Sequence, residues 1–294
     1  MDELSALDLI GETLSEAGDD AAVVDELVIT IDMLHEATDF PAGTTRYTAG
    51  WRSVGASLSD IAAMGASPVA TVAAYGSPAF EQEELVAFIE GAQAVSQSVG
   101  TDYVGGDLDS HQEFTVATAA IGRTTTPVYR SGASPGESVY VTGTLGRSAA
   151  ALRAMAAGHL EDGNRLLQFS PRIDSGVAVA GTATAMMDSS DGLARSLHQL
   201  AEASDCGFSI ESDRLPIDES VYQATDSDAE SRQLALHFGE DFELVLTGQP
   251  AEIDAIRATC ETPITHIGTV TDSGVRIDNN PLPNAGYEHT GRPR

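Results

Sequence analysis

The chain has 294 residues, 42% of them hydrophobic but only 5% aromatic, so it can bury a sizeable core built mainly from Ala, Val, Leu and Ile. Its 45 Asp and Glu face 15 basic residues, all of them Arg, giving a formal net charge of −30. Neutralising phosphates takes clustered basic side chains, which argues against non-specific nucleic-acid binding and against docking on anionic membranes.

In chain order, residues 2–17 alternate acidic and apolar side chains at helical spacing and stop at Gly18. VVDELVITID (23–32) has the β-branched content of strands around a turn. The spacing predicts a helix over 50–64 ended by Gly65, then a strand VATVAAY opened by Pro68. A long amphipathic helix follows over 80–99, with Leu85, Phe88, Ile89, Ala92 and Val95 on one face. DYVGGD and FTVATAAIGR read as strands. TTTPVYRSGASPGES (124–138), rich in turn formers, is the domain boundary, which divides the chain into residues 1–125 and 126–294. Beyond it come the strand SVYVTGT, the helix SAAALRAMAAG, a helix near 173–184, the strand end AMMDSS and the helix DGLARSLHQLAEAS. GFSIES, DFELVLTG and ITHIGTV read as strands and AEIDAIRATC as a helix. Strands and helices mix without strict alternation, so the expected class is α/β, two domains with mixed sheets.

The acid is no tail. Residues 1–147 hold 22 acids against 5 Arg, net −17, and residues 148–294 hold 23 against 10, net −13. Self-repulsion of that size opposes a compact state unless salt screens it, so the composition reads as adaptation to high internal salt. Disorder is the poorer reading, because apolar periodic segments run throughout. No stretch approaches the ~20 apolar residues of a membrane span. The start MDELSALDLI is unlike a signal peptide, and Cys206 and Cys260 form no metal-like cluster. A cytoplasmic, disulfide-free enzyme is expected.

Most acids must be solvated surface, so those beside glycines, at strand ends or in apolar surroundings carry the interest. Gly18-Asp19-Asp20 sets two repelling carboxylates before an apolar strand, where a cation would relieve a cost. Asp32 stands at the end of an apolar strand, and Asp60 lies beside Ile61, Ala62 and Met64, an expensive place for an unpaired carboxylate. In Gly105-Gly106-Asp107 the glycines let backbone N–H groups approach a phosphate while the Asp holds its Mg²⁺. Asp188 and Asp191 bracket a helix start, where outward N–H groups favour anions. Each has a plain alternative as a turn, a cap or a solvated acid. The GxxxxGK[ST] loop and the protein-kinase motifs are absent, as they must be without Lys. No HExxH or GxSxG occurs and neither Cys sits in a nucleophile signature, so no covalent nucleophile is expected.

Taken in order, these segments resemble the thiamine-monophosphate kinase family, whose members use ATP to phosphorylate thiamine monophosphate to thiamine diphosphate. The resemblance runs through Gly18-Asp19-Asp20, Ser59-Asp60-Ile-Ala-Ala-Met-Gly-Ala-Ser-Pro68, Gly105-Gly106-Asp107 and Arg130-Ser-Gly-Ala-Ser-Pro-Gly136. It continues through Val139-Tyr-Val-Thr-Gly-Thr-Leu-Gly146, Ser170-Pro-Arg172, Asp188-Ser-Ser-Asp191-Gly-Leu193, Gly239-Glu240-Asp241-Phe-Glu243-Leu and Gly286-Tyr287-Glu-His289. It implies the fold shared with aminoimidazole ribonucleotide synthetase, a homodimer paired through the N-terminal domain, and several Mg²⁺ ions bridging ATP and protein. By motif position it implies metal ligands at Asp20, Thr30, Asp32, Asp60, Asp107, Asp188 and Asp191. Nucleotide contacts fall at Gly106, Asp107, Arg130 and Ser190, with Arg130 also giving electrostatic help. Contacts to the thiamine end fall at Asp39, Glu240 and Tyr287. Asp39, Ile31, Arg147 and Phe238 stand where the family usually has His, Thr, an acid and Gly. Three other readings predict different things. Another ATP-using enzyme of the same fold, aminoimidazole ribonucleotide synthetase-like, would turn over a different acceptor. A non-catalytic nucleotide-binding regulator would bind ATP without acceptor-dependent ADP release. Carboxylates serving salt adaptation alone would not converge in one cleft.

Overall fold

The computed structural model describes residues 10, 11, 13, 14 and 17–286, so the helix expected over 2–17 lies largely outside the described residues. In the N-terminal half, β1 (Ala22–Val24), β2 (Leu27–His35), β3 (Ser67–Ser77), β4 (Tyr103–Ser110) and β5 (Thr115–Arg123) form a five-stranded mixed sheet in the order β1-β2-β5-β3-β4. The short α1 (Glu36–Asp39), α2 (Arg46–Ala63) and α3 (Gln82–Ser98) belong to it. In the C-terminal half, β6 (Ser138–Thr142), β7 (Ala183–Asp188), β8 (Gly207–Ile210), β9 (Leu244–Gly248), β10 (Ile264–Thr271), β11 (Gly274–Ile277) and β12 (Asn280–Pro281) form a seven-stranded mixed sheet in the order β12-β11-β8-β10-β6-β9-β7. Its helices are α4 (Arg147–Ala156), α5 (Leu160–Leu167), α6 (Ile173–Val179), α7 (Leu193–Ser204), α8 (Glu219–Ala224), α9 (Asp228–His237) and α10 (Pro250–Arg257).

Helix α2 is the hub. Thr45 caps it by accepting from Thr48 N, and Gly65, at φ 64°, turns the chain out of it. Between these ends it is buried on nearly every side, because the five-stranded sheet, α3 and α6 all pack on it. Small residues make that crowding possible. A Cβ on Gly50 would lie 2.1 Å from Phe88 O, one on Gly91 1.9 Å from Tyr47 O, and one on Gly176 2.1 Å from Ala62 O. Gly91→Val is therefore expected to overpack the α2–α3 crossing and cost about 1–3 kcal/mol. Thermal unfolding checks this, and an unchanged midpoint would show that the helices simply slide apart.

The sheet of the N-terminal half has two unlike faces. Along β2, Val28, Thr30 and Leu34 are buried toward α2, whereas Ile29, Ile31 and Met33 point away and Ile31 is 73% exposed. Register puts Ile121 beside Ile29 and, through Ala119, Val72 in line with Ile31, so an exposed apolar row lies on this face, with Leu14 and Ala17 near its Ile29–Ile31 part.

Three sequence expectations need correction. The helix expected over 50–64 starts earlier, at Arg46, because the cap is Thr45. The helix near 173–184 ends at Val179, since residues from Ala183 pair with β9 as β7. Helices α5, α8 and α9 were not anticipated: they are short and acidic at their starts, and packing, of α5 and α8 against α4 and of α9 chiefly against α7, rather than intrinsic propensity stabilises them.

Candidate active site

Three carboxylates from distant parts of the chain meet between the two halves. Asp20 precedes β1, Asp60 lies in the last turn of α2 and Asp188 ends β7, and oxygen atoms of all three lie within 4.8 Å of one another. Each is held by a neighbour. The Thr30 hydroxyl on β2 donates to Asp60 Oδ2 at 2.5 Å, and Ser59 Oγ donates to Asp188 Oδ2 at 2.7 Å. Arg130 grips Asp20 with two donors, Nη2 at 2.8 Å and Nε at 3.4 Å, while its backbone N–H donates to Asp19. Asp32, on the α2-facing side of β2, accepts from Ser57 Oγ at 2.6 Å and lies close enough to Asp60 for their charges to interact.

The electrostatics are those of a site built for a cation. Burial raises Asp60 well above the ordinary carboxylate range, with the charges of Asp32, Asp188 and Asp20 adding to it and the Thr30 hydrogen bond opposing. Burial and then the Asp20 charge push Asp188 up to about 7, against the Ser59 hydrogen bond and Arg130. Burial likewise lifts Asp32, and burial plus Asp20 lift Asp19 to about 6. For Arg130, burial works against the charge, but the adjacent Asp20 outweighs it and the guanidinium stays firmly protonated. Beside the cluster, buried Ser189 Oγ has no hydrogen-bond partner among the described residues. Convergent carboxylates, hydroxyls and an orphaned hydroxyl oxygen are a hard donor set, which fits Mg²⁺.

The remaining candidates are placed as follows. Gly106 and Asp107 lie on β4, at the sheet edge, in the strand expected for DYVGGD. Asp107 stands in register with Ala74, Ala117 and Met33, on the exposed face, whereas Asp32 shares its row with Thr118, Ala73 and Gly106 on the helix-covered face. Within one chain Asp107 thus points away from the Asp20–Asp60–Asp188 cluster. Asp39 is buried at the end of α1 and accepts from His35 N and Thr38 Oγ1, at 2.7 and 2.8 Å. Ser190, Asp191 and Glu240 share a corner: Glu240 N donates to Ser190 O at 2.6 Å, and the Cβ position of Gly286 falls 2.3 Å from Asp191 O. The segment 282–286 is held at this corner by His198 and His237, which bond the carbonyls of Leu282 and Ala285. Tyr287, the next residue after Gly286, lies outside the described residues.

Several supporting residues escaped the sequence reading. Ser57 and Ser59 orient Asp32 and Asp188, and Thr118 braces Ser57 at 2.8 Å. Their signal was available: Ser53, Ser57, Ser59 and Asp60 are polar residues in a helix otherwise rich in small and apolar side chains. Arg52, 1% exposed, pairs with Glu240 Oε2 at 2.9 Å. A cavity of about 610 Å³ is lined by Pro41, Ala42, Leu152, Arg153, Met155 and Phe238 among others, some of them close in sequence to Asp39 and to Glu240.

Comparison with known proteins agrees with this geometry. Residues 18–124 match the family described as AIR synthase related protein, N-terminal domain, and residues 134–278 match AIR synthase related protein, C-terminal domain. The chain is 56% identical to the thiamine-monophosphate kinase of Halobacterium salinarum over 98% of this chain and all of that one. It is 38% identical to that of Methanospirillum hungatei over 98% of this chain and 99% of that one. Among solved structures, AaThiL complexed with AMPPCP and TMP superposes with a TM-score of 0.90 at 28% identity, covering 98% of this chain and 96% of that one. Full-length identity, both halves of the fold and the ordered motifs together make the chain a member of the thiamine-monophosphate kinase family, kinases whose phosphoryl acceptor is itself a phosphate ester.

Proposed function

We propose that the chain transfers the γ-phosphoryl group of ATP directly, in line, to the phosphate of thiamine monophosphate, giving thiamine diphosphate and ADP. The observation that carries the reading is the meeting of Asp20, Asp60 and Asp188 between the two halves, in a family with a relative that holds AMPPCP and TMP together. Donor and acceptor are both anions, so the main barrier is bringing negative charges together. Several Mg²⁺ ions, held by Asp20, Thr30, Asp32, Asp60, Asp107, Asp188 and Asp191, supply that neutralisation when bound. Arg130, Ser190 and the Gly106-Asp107 segment contact the nucleotide in this reading. Residues 1–125 carry nucleotide, metal and dimerisation functions, and residues 126–294 complete the cleft. A phosphate oxygen is already a competent nucleophile, so no general base is needed.

In this reading the thiamine end is contacted by Glu240, with Asp39 and Tyr287 as further contacts. The cavity between Pro41 and Phe238 supports this, being largely apolar and large enough for an organic ring system. The homodimer forms through the exposed face of the N-terminal sheet, where burying Ile29, Ile31, Met33, Val72 and Ile121 removes apolar surface from water. That pairing brings Asp107 to the partner's side of the interface. The acidic coat suits a high-salt cytoplasm.

The test is acceptor-dependent ADP release at molar salt, with thiamine monophosphate compared against the acceptors of sibling enzymes of this fold. Tight ATP binding without release would favour a regulator. A second measurement follows from the raised carboxylates. Their folded values, about 6 for Asp19 and about 7 for Asp188, exceed the ordinary 3.8, so the metal-free fold binds protons more tightly than the unfolded chain and loses stability as pH rises from about 4 to about 7. Mg²⁺ takes the place of those protons. The Mg²⁺-induced rise in thermal midpoint should therefore be larger at pH 8 than at pH 5, and equal rises would speak against binding at this cluster.

A further inference from the structure

We infer that Arg52 is a positioning residue for the acceptor, acting through Glu240; the inference rests on the kinase reading above. Glu240 lies in the left-handed region at φ 58°, a conformation a non-glycine side chain holds only when its surroundings enforce it. Three contacts do so. Its N–H donates to Ser190 O, its carbonyl accepts from Ser148 Oγ at 2.6 Å, and its carboxylate Oε2 accepts from Arg52 Nη2 at 2.9 Å. The same Nη2 lies 3.4 Å from the Glu240 carbonyl, so one guanidinium fixes both backbone and side chain.

Arg52 is itself immobilised. Its Nη1 donates to Leu167 O at 3.3 Å, and its guanidinium carbon stands 5.4 Å from the Phe242 ring centre and 5.9 Å from that of Phe169, two rings stacked at 4.3 Å. A buried arginine so restrained loses little further entropy in gripping a carboxylate. The grip takes one oxygen only: Glu240 Oε1 accepts no hydrogen bond among the described residues and remains available to a donor on the acceptor, such as the exocyclic amine of an aminopyrimidine. Arg52 and Asp60 also ride on one rigid helix, eight residues and about 12 Å apart along its axis. The element that carries a phosphate-end carboxylate therefore also holds the group facing the ring end. Displacing the Glu240 carboxylate, while its N–H stays on Ser190 O, would misplace the acceptor and leave the nucleotide contacts in place.

The experiment is steady-state kinetics of Arg52→Met, Arg52→Lys, Glu240→Gln and the double variant Arg52→Met/Glu240→Gln, varying acceptor and ATP separately. Wild-type acceptor-dependent turnover is measured first; its absence would refute the kinase reading itself, independently of Arg52. Arg52→Met and Glu240→Gln are each expected to raise acceptor KM on the order of tenfold while ATP KM stays within about twofold. The double variant should be no worse than Glu240→Gln alone. A purely structural arginine would instead lower the thermal midpoint, move both KM values and kcat together and add to Glu240→Gln. Either that pattern or an unchanged acceptor KM overturns the inference. Should Arg52→Met fail to fold, Arg52→Lys decides: the ammonium keeps the charge but cannot hold two groups at once, so acceptor KM rises by a smaller factor. That rise must vanish in the Glu240→Gln background, and its persistence there refutes the inference.

Discussion

Asp60→Asn is expected to reduce turnover by about 10³-fold or more at saturating Mg²⁺ while raising the thermal midpoint of the metal-free protein. The two effects have one cause. Asp60 is forced into a buried position beside Asp20 and Asp188, with Asp32 close by, and its charge is opposed first by burial and then by those neighbours. An amide of the same shape removes the charge and keeps the volume, so the fold is relieved. The same charge is what a bridging cation needs, so activity is lost and the Mg²⁺-induced stabilisation shrinks. Calorimetry at pH 8 without metal and turnover with excess Mg²⁺ check both halves. Near wild-type turnover would end the metal assignment, and a lowered midpoint would show that the carboxylate earns its place through hydrogen bonding to Thr30 instead.

Much of this was visible in the chain, for physical reasons. Asp60 could be read because a carboxylate beside Ile61, Ala62 and Met64 is costly anywhere else, and Asp188 because it ends an apolar strand before a helix start. What could not be read was who meets whom. Ser59 and Asp188 are 129 residues apart, and no local pattern announces their hydrogen bond. Arg52 escaped for the same reason, since its partner Glu240 lies 188 residues away, and a lone Arg in an apolar helix is as readily a surface residue. Asp39 lies at the end of α1, where its carboxylate accepts from His35 N and from Thr38 Oγ1, the contacts of a local brace. The alternation Thr30-Ile31-Asp32-Met33 already encodes two faces, yet it reverses the usual rule, with polar residues turned inward and apolar ones outward. Read as a single strand it says little. With the register known, it says that the inward face holds the charged site and the outward face awaits cover.

That register yields the last prediction, a complementation between two inactive variants. Asp107 stands on the outward face and Asp60 on the other side of the same sheet, so one chain cannot bring both to one metal–nucleotide complex. If the outward faces of two chains pair, Asp107 of each serves the cluster of the other. Asp60→Asn and Asp107→Asn homodimers should then both be inactive. Co-refolded in equal amounts, random pairing makes half of the dimers mixed, and each mixed dimer retains one site with an intact Asp60 cluster and an intact Asp107 from across the interface. Activity should recover to about a quarter of wild type. Service within a single chain predicts no recovery, because every site would then carry one lesion. Ile31→Asp supplies the control: a charge at the most exposed apolar position of that face should leave a monomer by light scattering, and a monomer that kept full turnover would refute the shared site.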